Sequence, residues 1–329
     1  MSVARRIHAT MSELQHRFVD TNGIRVHLVE AGAGPLVVLL HGFPESWYSW
    51  RHQLTALAEA GFHAVAPDQR GYGQTDRPTA IEAYSMLHLV GDAIGVIDAF
   101  GEDRAVVVGH DWGAPVAWHT ALFRPDRVRG VAGLSVPYRQ RGERAPLSIL
   151  RAALGENFYQ IYFQKPGVAE ADLERDVRAS IRGTLYGGSG NNPSIPNMMV
   201  DPNNGFMGEV AIPDRLPDWI REEDVDFYTG EFERTGFAGG LNWYRNIDRN
   251  WELTAPWAGA RVTVPALYVV GDRDVVYHFP GAGPQMVTSL VNVVPNLRQS
   301  VVLDGCGHWT QQERPAEVNR LLLDFLGSL

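Results

Sequence analysis

The fold is decided by the stretch AVVVGHDWGAPV, residues 105–116. It begins with four consecutive apolar residues, which predict a strand buried on both faces, as in a parallel sheet. Its last residues include a proline suited to the first turn of a helix, which predicts that a helix begins there. Gly109 and Gly113 flank Asp111 at a spacing of two, and small residues there permit a sharp strand-to-helix turn. The stretch therefore predicts an α/β fold in which Asp111 is displayed above the end of a strand.

Short apolar runs of the same kind recur along the chain and alternate with helical candidates. This alternation is typical of a doubly wound, mostly parallel sheet with right-handed crossovers. Two alternating runs, 15–21 and 24–31, are joined by Asn22-Gly23 and predict an N-terminal hairpin. The other predicted strands are 36–40, 63–67, 105–108, 128–135, 266–270 and 299–303, and the predicted helices are 49–60, 86–100, 114–123 and 317–326.

The alternation stops between residues 138 and 247. This segment lacks Val-rich runs and contains helical stretches, aromatic residues and a loop-like tract at 187–193. We therefore expect a helical cap that is inserted after one strand of the sheet. The predicted α/β core consists of residues 1–137 and 248–329, and the predicted cap consists of residues 138–247.

The composition is that of a globular protein and restricts its partners. Hydrophobic residues make up 45% of the 329 positions and charged residues 20%, as is typical of folded domains. The formal net charge of −9 argues against a nucleic acid or an anionic membrane as partner, since both attract basic surfaces. No apolar run of the sequence approaches the length of a membrane span.

The cysteine count and the motif inventory predict neither a metal nor a cofactor. A single cysteine, Cys306, excludes an internal disulfide and favours a reducing compartment, so we expect a cytoplasmic protein. Residues 1–8 carry charge but no apolar segment follows them, so no signal peptide is expected. Zinc and calcium spacings are absent, and Gly32-Ala33-Gly34 precedes its strand, opposite to the dinucleotide-binding fingerprint.

Candidate catalytic residues follow the predicted strands, because ligands in open α/β sheets bind beyond the carboxyl ends of the strands. The chain order nucleophile, acid, base is that of a hydrolase triad. We predict Asp111 as the nucleophile and His308, after the last strand, as the general base. Asp274, after the preceding strand, is predicted to orient His308. The neighbouring Asp272 is expected to shape the turn instead.

The presence of aspartate at the centre of the turn restricts the substrate. A carboxylate that attacks a saturated carbon gives an alkyl ester, which water can then cleave at the enzyme's own carbonyl. A serine attacking the same carbon would give an ether, which is a dead end. Asp111 therefore favours electrophilic carbon centres, such as epoxides and alkyl halides, over carboxylic esters.

The motif HGFP, residues 41–44, follows the predicted strand 36–40. The backbone N–H groups of Phe43 and of Trp112, the residue after the nucleophile, are predicted to form an oxyanion hole. Taken alone, the motif is equally compatible with an ordinary Gly-Pro turn.

Five stretches of the sequence carry a resemblance to a known family. They are HGFPESWYSWRHQ (41–53), DQRGYG (68–73), GHDWG (109–113), YQIYFQ (159–164) and LNWYRN (241–246). With them the chain resembles the soluble epoxide hydrolases of the α/β-hydrolase superfamily over residues 36–326. The resemblance implies that Tyr159 and Tyr244 of the cap donate to the epoxide oxygen, and that Glu45 helps to hold the hydrolytic water. The implied substrates are a small apolar epoxide and water, and a homodimer is compatible with the sequence.

A phenol suits the role that the resemblance implies. Its pKa of about 10 keeps it protonated at neutral pH. It can therefore donate to the ring oxygen while that oxygen becomes an alkoxide, and can then pass it a proton. Packing is the commoner role of aromatic residues, so only the resemblance selects Tyr159 and Tyr244.

Two alternative functions share the predicted fold. A haloalkane dehalogenase has the same Asp nucleophile and His–Asp pair and needs halide donors such as indole N–H groups, but it has no use for two cap phenols. A halide-release assay distinguishes it. A non-catalytic protein on this fold need not keep a triad. The complete triad and the two tyrosines favour an epoxide hydrolase.

Overall fold

One sheet organises the part of the chain that the computed structural model describes, residues 14–196, 198–279 and 282–329. The N-terminal residues considered for a signal peptide lie outside it. The strands are β1 (Gln15–Thr21), β2 (Ile24–Ala31), β3 (Leu36–Leu40), β4 (His63–Pro67), β5 (Ala105–His110), β6 (Val128–Leu134), β7 (Ala266–Gly271) and β8 (Leu297–Leu303). Their order is β1-β2-β4-β3-β5-β6-β7-β8. Strands β3 to β8 pair in parallel, whereas β1 and β2 are antiparallel to their neighbours.

The N-terminal hairpin is confirmed. Thr21 pairs with Ile24 across a two-residue turn, and both turn residues, Asn22 and Gly23, have positive φ, +48° and +76°. Positive φ at both positions is what a type I′ turn requires, and this turn matches the twist of the two strands.

One expectation about the strands is wrong. The run 299–303 was predicted to be buried on both faces, but β8 is largely half-exposed or exposed. The physical reason is its place at the edge of the sheet, where it has one neighbouring strand, β7. An apolar run shows that a strand forms but not whether both of its sides are covered.

Thirteen α-helices lie within the described residues. They are α1 (Arg51–Glu59), α2 (Met86–Ala99), α3 (Gly113–Phe123), α4 (Pro146–Leu154), α5 (Tyr159–Tyr162), α6 (Val168–Leu173), α7 (Val177–Gly187), α8 (Glu222–Thr235), α9 (Ala238–Arg245), α10 (Ile247–Leu253), α11 (Pro284–Ser289), α12 (Thr310–Glu313) and α13 (Pro315–Gly327). Short 3-10 helices occupy Trp47–Trp50, Ile81–Tyr84, Phe206–Glu209, Ala255–Trp257, Val275–His278 and Leu290–Asn292. All four predicted helices are present, and their ends lie within two residues of the expected ones.

Helices cover both faces of the sheet, as the predicted doubly wound fold requires. Successive residues of a strand point to opposite faces, and β3 shows the result. Val38 and Leu40 pack in a core with residues of α2 and α3. Val37 and Leu39 pack in a second core with residues of α1 and α13. The apolar run of β3 is therefore explained by burial on both of its sides.

The long connection between β6 and β7 contains α4 to α10 and no named strand among its described residues. The helical character predicted for this segment is thus present, and helix α10 begins at the predicted boundary, residue 247, and continues to Leu253. No helix in the described part of the chain has the length and apolar character needed to cross a bilayer.

Candidate active site

Asp111 lies in the turn between β5 and α3, where its backbone adopts a left-handed conformation. Its φ is +50°, which non-glycine residues rarely adopt and which costs on the order of 1–3 kcal/mol. Gly42 makes room for it, because a β-carbon at position 42 would overlap the Asp111 side chain. At Gly109 and Gly113 a β-carbon would overlap the backbone of Gly113 and of Leu40, respectively. The predicted strand-to-helix turn is confirmed, and its glycines are required by close backbone approach.

The two amides predicted for an oxyanion hole are both at this turn. The Phe43 N–H donates a 2.8 Å hydrogen bond to Oδ1 of Asp111. Trp112 is the N-cap of α3, and amides at a helix start have no carbonyl partner within the helix. Burial alone would raise the pKa of Asp111, but the His308 hydrogen bond and charge and the Phe43 amide lower it. Asp111 is therefore a carboxylate at neutral pH, with one oxygen held by a backbone donor.

His308 lies between Asp111 and Asp274. Its Nε2 is 3.5 Å from Oδ2 of Asp111, and its Nδ1 is 2.9 Å from Oδ1 of Asp274. Asp274 is fully buried just after β7. The structure thus brings together the three residues predicted as a triad. The turn hydrogen bond expected of Asp272 is made instead by Asp274, whose Oδ1 also accepts from the Val276 amide at 2.9 Å, whereas Oδ1 of Asp272 is buried without a hydrogen-bond partner among the described residues.

Ser135 is a further contact of His308 that the sequence analysis missed. Its hydroxyl oxygen lies 3.1 Å from Nδ1 of His308. Burial would raise the pKa of Asp274, but the charge and hydrogen bond of His308, together with the Ser135 hydroxyl, lower it. Strand β6 ends at Leu134, and Ser135 follows it with φ of +70°. Ser135 was counted as the last residue of a predicted strand, although residues just beyond strands are where catalytic groups are expected.

The charge state of His308 depends on its two carboxylate neighbours. Burial disfavours an imidazolium and alone would lower the pKa of His308. The charge of Asp274, the hydrogen bonds to both carboxylates and the charge of Asp111 outweigh burial and raise that pKa well above its usual value. His308 is therefore protonated while Asp111 is anionic.

A cavity of about 490 Å³ opens beside Asp111. Tyr159 of α5 and Tyr244 of α9 line it, and both side chains are buried. Their ring centroids are 5.8 Å apart. The ring of Tyr244 also packs edge-on against Trp112, at 5.1 Å between centroids. The two tyrosines selected by resemblance therefore share one cavity with the predicted nucleophile.

Both phenols remain protonated in this setting. Burial raises the pKa of Tyr159, the Asp111 and Asp274 charges raise it further, and a hydrogen bond from Gln160 opposes the shift. Burial and the Asp111 charge raise the pKa of Tyr244 well above its usual value, and the Trp112 side chain opposes this shift. Each phenol is therefore available as a proton donor at neutral pH. Gln160 was missed by the sequence analysis, because no motif distinguishes a glutamine that contacts a phenol from a surface glutamine.

Glu45 does not have the free carboxylate that a water-holding role requires. Its Oε2 accepts from the Gly42 amide at 3.0 Å and from His110 at 2.8 Å. Its Oε1 accepts from Gln312 at 3.0 Å and from Gln311 at 3.3 Å. A carboxylate offers about four acceptor positions, and protein donors occupy four here. Through these contacts Glu45 is a buried carboxylate that connects several segments of the chain. They do not support the prediction that Glu45 holds water directly.

The loop that carries His308 is joined to the segment predicted as the cap. The His308 amide donates to the Gly188 carbonyl at 2.7 Å. The buried carboxylate of Glu313 accepts from the amides of Gly307 and Trp309 on the loop, at 3.0 and 3.1 Å, and from the amide of Gly190 at 2.8 Å. One side chain thus binds both segments. Among the described residues, no group of three His, Cys, Asp or Glu is placed to hold a metal ion.

The fold and the Asp–His–Asp arrangement define an α/β hydrolase with a carboxylate at the nucleophile position. A family model described as alpha/beta hydrolase fold matches residues 35–315. The chain belongs to this family, and within it to the epoxide hydrolases. It is 49% identical to epoxide hydrolase A of Mycobacterium tuberculosis (strain ATCC 25618 / H37Rv), over 95% of this chain and 97% of that protein. It is 46% identical to epoxide hydrolase 2 of Siraitia grosvenorii, over 96% and 99% of the two chains. The solved structure of an epoxide hydrolase from an endophytic Streptomyces has a TM-score of 0.92 to this chain at 48% identity, with 95% of each chain covered.

Proposed function

We infer that this epoxide hydrolase converts an epoxide and water to a vicinal diol through an alkyl ester on Asp111. The observation that carries this inference is the placement of one half-buried carboxylate, Asp111, between a histidine–aspartate pair and a cavity lined by two phenols. In the first step, one oxygen of Asp111 bonds to a ring carbon while the carbon–oxygen bond of the epoxide breaks. The ring oxygen receives that electron pair, and Tyr159 and Tyr244 donate hydrogen bonds and a proton to it.

The hydrogen bond from Phe43 divides the roles of the two carboxylate oxygens. Oδ1 accepts the Phe43 amide, whereas Oδ2 is the oxygen near His308. We assign attack to Oδ2, so that Oδ1 remains the carbonyl oxygen of the ester. When water adds to that carbonyl, negative charge develops on Oδ1, where the Phe43 and Trp112 amides can stabilise it. The predicted oxyanion hole then acts in the second step.

Ester formation also changes the charge state of His308. The Asp111 charge and hydrogen bond contribute to the raised pKa of His308, and an alkyl ester carries no such charge. The pKa of His308 therefore falls once the ester forms, and the imidazolium can return a proton to the phenolate left by ring opening. Neutral His308 then takes a proton from the attacking water, while Asp274 stabilises the imidazolium that forms. The bond between the carbonyl carbon and Oδ2 breaks, and the diol leaves with Oδ2, which takes the proton of the new Asp111 carboxyl group. Asp111 is then again a carboxylate beside a protonated His308.

The cap tyrosines disfavour a haloalkane dehalogenase. Tyr159 and Tyr244 line the same cavity as Asp111, and halide release has no use for them. Two phenols lining the cavity suit a developing alkoxide, which needs a proton, better than a halide, which does not.

We further propose that residues 138–247 form the lid over the cavity and that residues 1–137 and 248–329 form the catalytic core. Tyr159 and Tyr244 lie in the first of these segments and Asp111, Asp274 and His308 in the second. The apolar cavity walls support a small apolar epoxide as substrate. The cytoplasmic location and a homodimer stay predictions from the sequence.

A single turnover in ¹⁸O-labelled water, with enzyme in excess over epoxide, tests the covalent route. Water attacks the ester carbonyl, so we expect the label in the Asp111 carboxylate and an unlabelled diol. Peptide mapping across residues 109–113 locates the label. Labelled diol with an unlabelled peptide would show direct attack by water, and Asp111 would then be a general base.

A further inference from the structure

One of the two cavity phenols, Tyr159, has a side-chain N–H group at its oxygen, which the triad and the oxyanion hole do not explain. Nε2 of Gln160 lies 2.9 Å from the hydroxyl oxygen of Tyr159. The ring of Tyr244 instead packs edge-on against the ring of Trp112. A side-chain amide nitrogen can only donate, so the Tyr159 oxygen accepts from Gln160 and its own proton is directed elsewhere.

Gln160 is held in place by a second glutamine. It is half-buried in α5 and lines the cavity beside Asp111. Nε2 of Gln164 donates to the backbone carbonyl of Gln160 at 2.7 Å and to that of Tyr244 at 3.0 Å. The backbone of Gln160 is thereby tied to the helix that carries the other phenol. The side-chain amide of Gln160 therefore belongs to the cavity wall and does not lie free on the surface.

We propose that Gln160 is a positioning residue for ring opening, which acts by donating its amide N–H to the phenol oxygen of Tyr159. This assignment rests on the proposed function. The N–H occupies a lone pair of the phenol, which directs the phenol proton toward the epoxide oxygen.

The donated hydrogen bond grows stronger during the reaction. As Oδ2 of Asp111 bonds to the ring carbon, the breaking carbon–oxygen bond leaves its electron pair on the ring oxygen, which takes the proton of Tyr159. The phenol oxygen then carries negative charge, and donors bind anionic oxygens more strongly than neutral ones. An interaction that is stronger in the transition state than in the ground state accelerates the step.

Two substitutions distinguish donation of the Gln160 N–H to Tyr159 from simple packing of the Gln160 side chain. Gln160→Met keeps a side chain of similar length and removes the N–H. Gln160→Glu has nearly the same shape but places a carboxylate beside Tyr159, which would accept the phenol proton and oppose a phenolate. We expect Gln160→Met to slow ring opening by about tenfold to a hundredfold, which is the effect of a hydrogen bond to a charged group. Gln160→Glu should slow it further.

Ring opening is measured in the His308→Gln background, where the ester accumulates and intact mass gives its rate of formation. The probe is an epoxide that the unsubstituted protein converts, chosen from a panel of terminal, internal and styrene-type epoxides. In a Tyr159→Phe background, neither Gln160 variant should slow ring opening further, since the oxygen on which Gln160 acts is absent. Thermal melting and the rate of ester hydrolysis with His308 intact should change little.

Gln140 provides a matched control. Its side-chain amide is likewise held by hydrogen bonds, to the backbone carbonyls of Gly259 and Ala260 at 2.9 Å each, but Gln140 does not line the cavity. Gln140→Met and Gln140→Glu should open the ring at the unsubstituted rate. A Gln160→Glu protein as fast as Gln160→Met, or equal losses with and without the Tyr159 hydroxyl, would overturn the proposal. Failure of the proposed function has a different signature, namely no mass gain in His308→Gln from any epoxide that the unsubstituted protein converts.

Discussion

The two halves of the candidate site are built by different means. The half on the sheet places Asp111, Asp274 and His308 at the ends of strands, with the positive φ of Asp111 and backbone hydrogen bonds to its carboxylate. The half on the inserted helices presents Tyr159 and Tyr244 from short helices, held largely by aromatic packing and by side-chain contacts to carbonyls.

This difference assigns different parts of the chemistry to the two halves. The sheet half supplies a nucleophile and a base, which any electrophilic carbon could use. The helical half supplies the proton donors that distinguish an epoxide oxygen from a halide leaving group. Substitutions in the sheet half should therefore abolish turnover, whereas those in the helical half should reduce it by degrees.

Removal of the nucleophile should have the largest effect. Asp111→Ala leaves no other carboxylate at the cavity wall to attack the ring, so diol formation should fall on the order of 10⁴-fold or more. Diol is measured under single-turnover and multiple-turnover conditions. Asp304→Ala, which removes an exposed carboxylate after β8, is the control and should keep full activity. Retention of more than a few per cent of the rate in Asp111→Ala would disprove the assignment of the nucleophile.

Single losses of the phenols should be smaller. Removing one of two donors to a developing oxyanion costs on the order of 10²–10³ in rate, and Tyr159→Phe or Tyr244→Phe should slow ring opening within that range. The double variant should be folded and nearly inactive. Tyr162→Phe is the matched control, because Tyr162 lies in the same short helix but its hydroxyl contacts Asp172. Wild-type rates in the double variant would make the two tyrosines packing residues.

The smallest expected effect is a shift in one titration, and it tests the coupling inside the sheet half. The negative charge of Asp111 raises the pKa of His308, so Asp111→Asn should lower that pKa. The imidazolium of His308 then loses its proton at a lower pH than in the unsubstituted protein. NMR titration of the His308 ring gives both values, and Asp272→Asn serves as the control. An unchanged or higher pKa of His308 in Asp111→Asn would contradict the proposal that ester formation lowers this pKa.

The sheet half could be predicted in detail because its pattern is local. Apolar runs mark the strands, and catalytic groups follow strands at the carboxyl edge, which leads directly to Asp111, Asp274 and His308. The apolar pattern does not fix the last residue of a strand, so Ser135 falls inside the predicted strand although it lies just beyond β6. It also gave no way to see that the Asp274 side chain makes the turn hydrogen bond predicted for Asp272.

The helical half could not be predicted from local pattern, because helix-to-helix contacts in an inserted segment follow no spacing rule. Nothing but family resemblance distinguished Tyr159 and Tyr244 from the other tyrosines, and nothing indicated Gln160. The surroundings of Glu45 were hidden from the sequence for a related reason. Its surroundings come from segments far apart in the chain, His110 and Gln311 and Gln312, so sequence gave no sign that its carboxylate is filled.

The hydrogen bonds of Glu313 have a consequence for how the enzyme loses activity on heating. Its carboxylate binds the amide of Gly190 in the segment that we propose as the lid, and those of Gly307 and Trp309 beside the base. Local opening of either segment would leave a buried carboxylate short of donors, which is costly. The two segments should therefore open as one cooperative unit. Hydrogen exchange at the amide of His308, which bonds to the Gly188 carbonyl, then reports lid attachment directly, and inactivation and lid release become the same event.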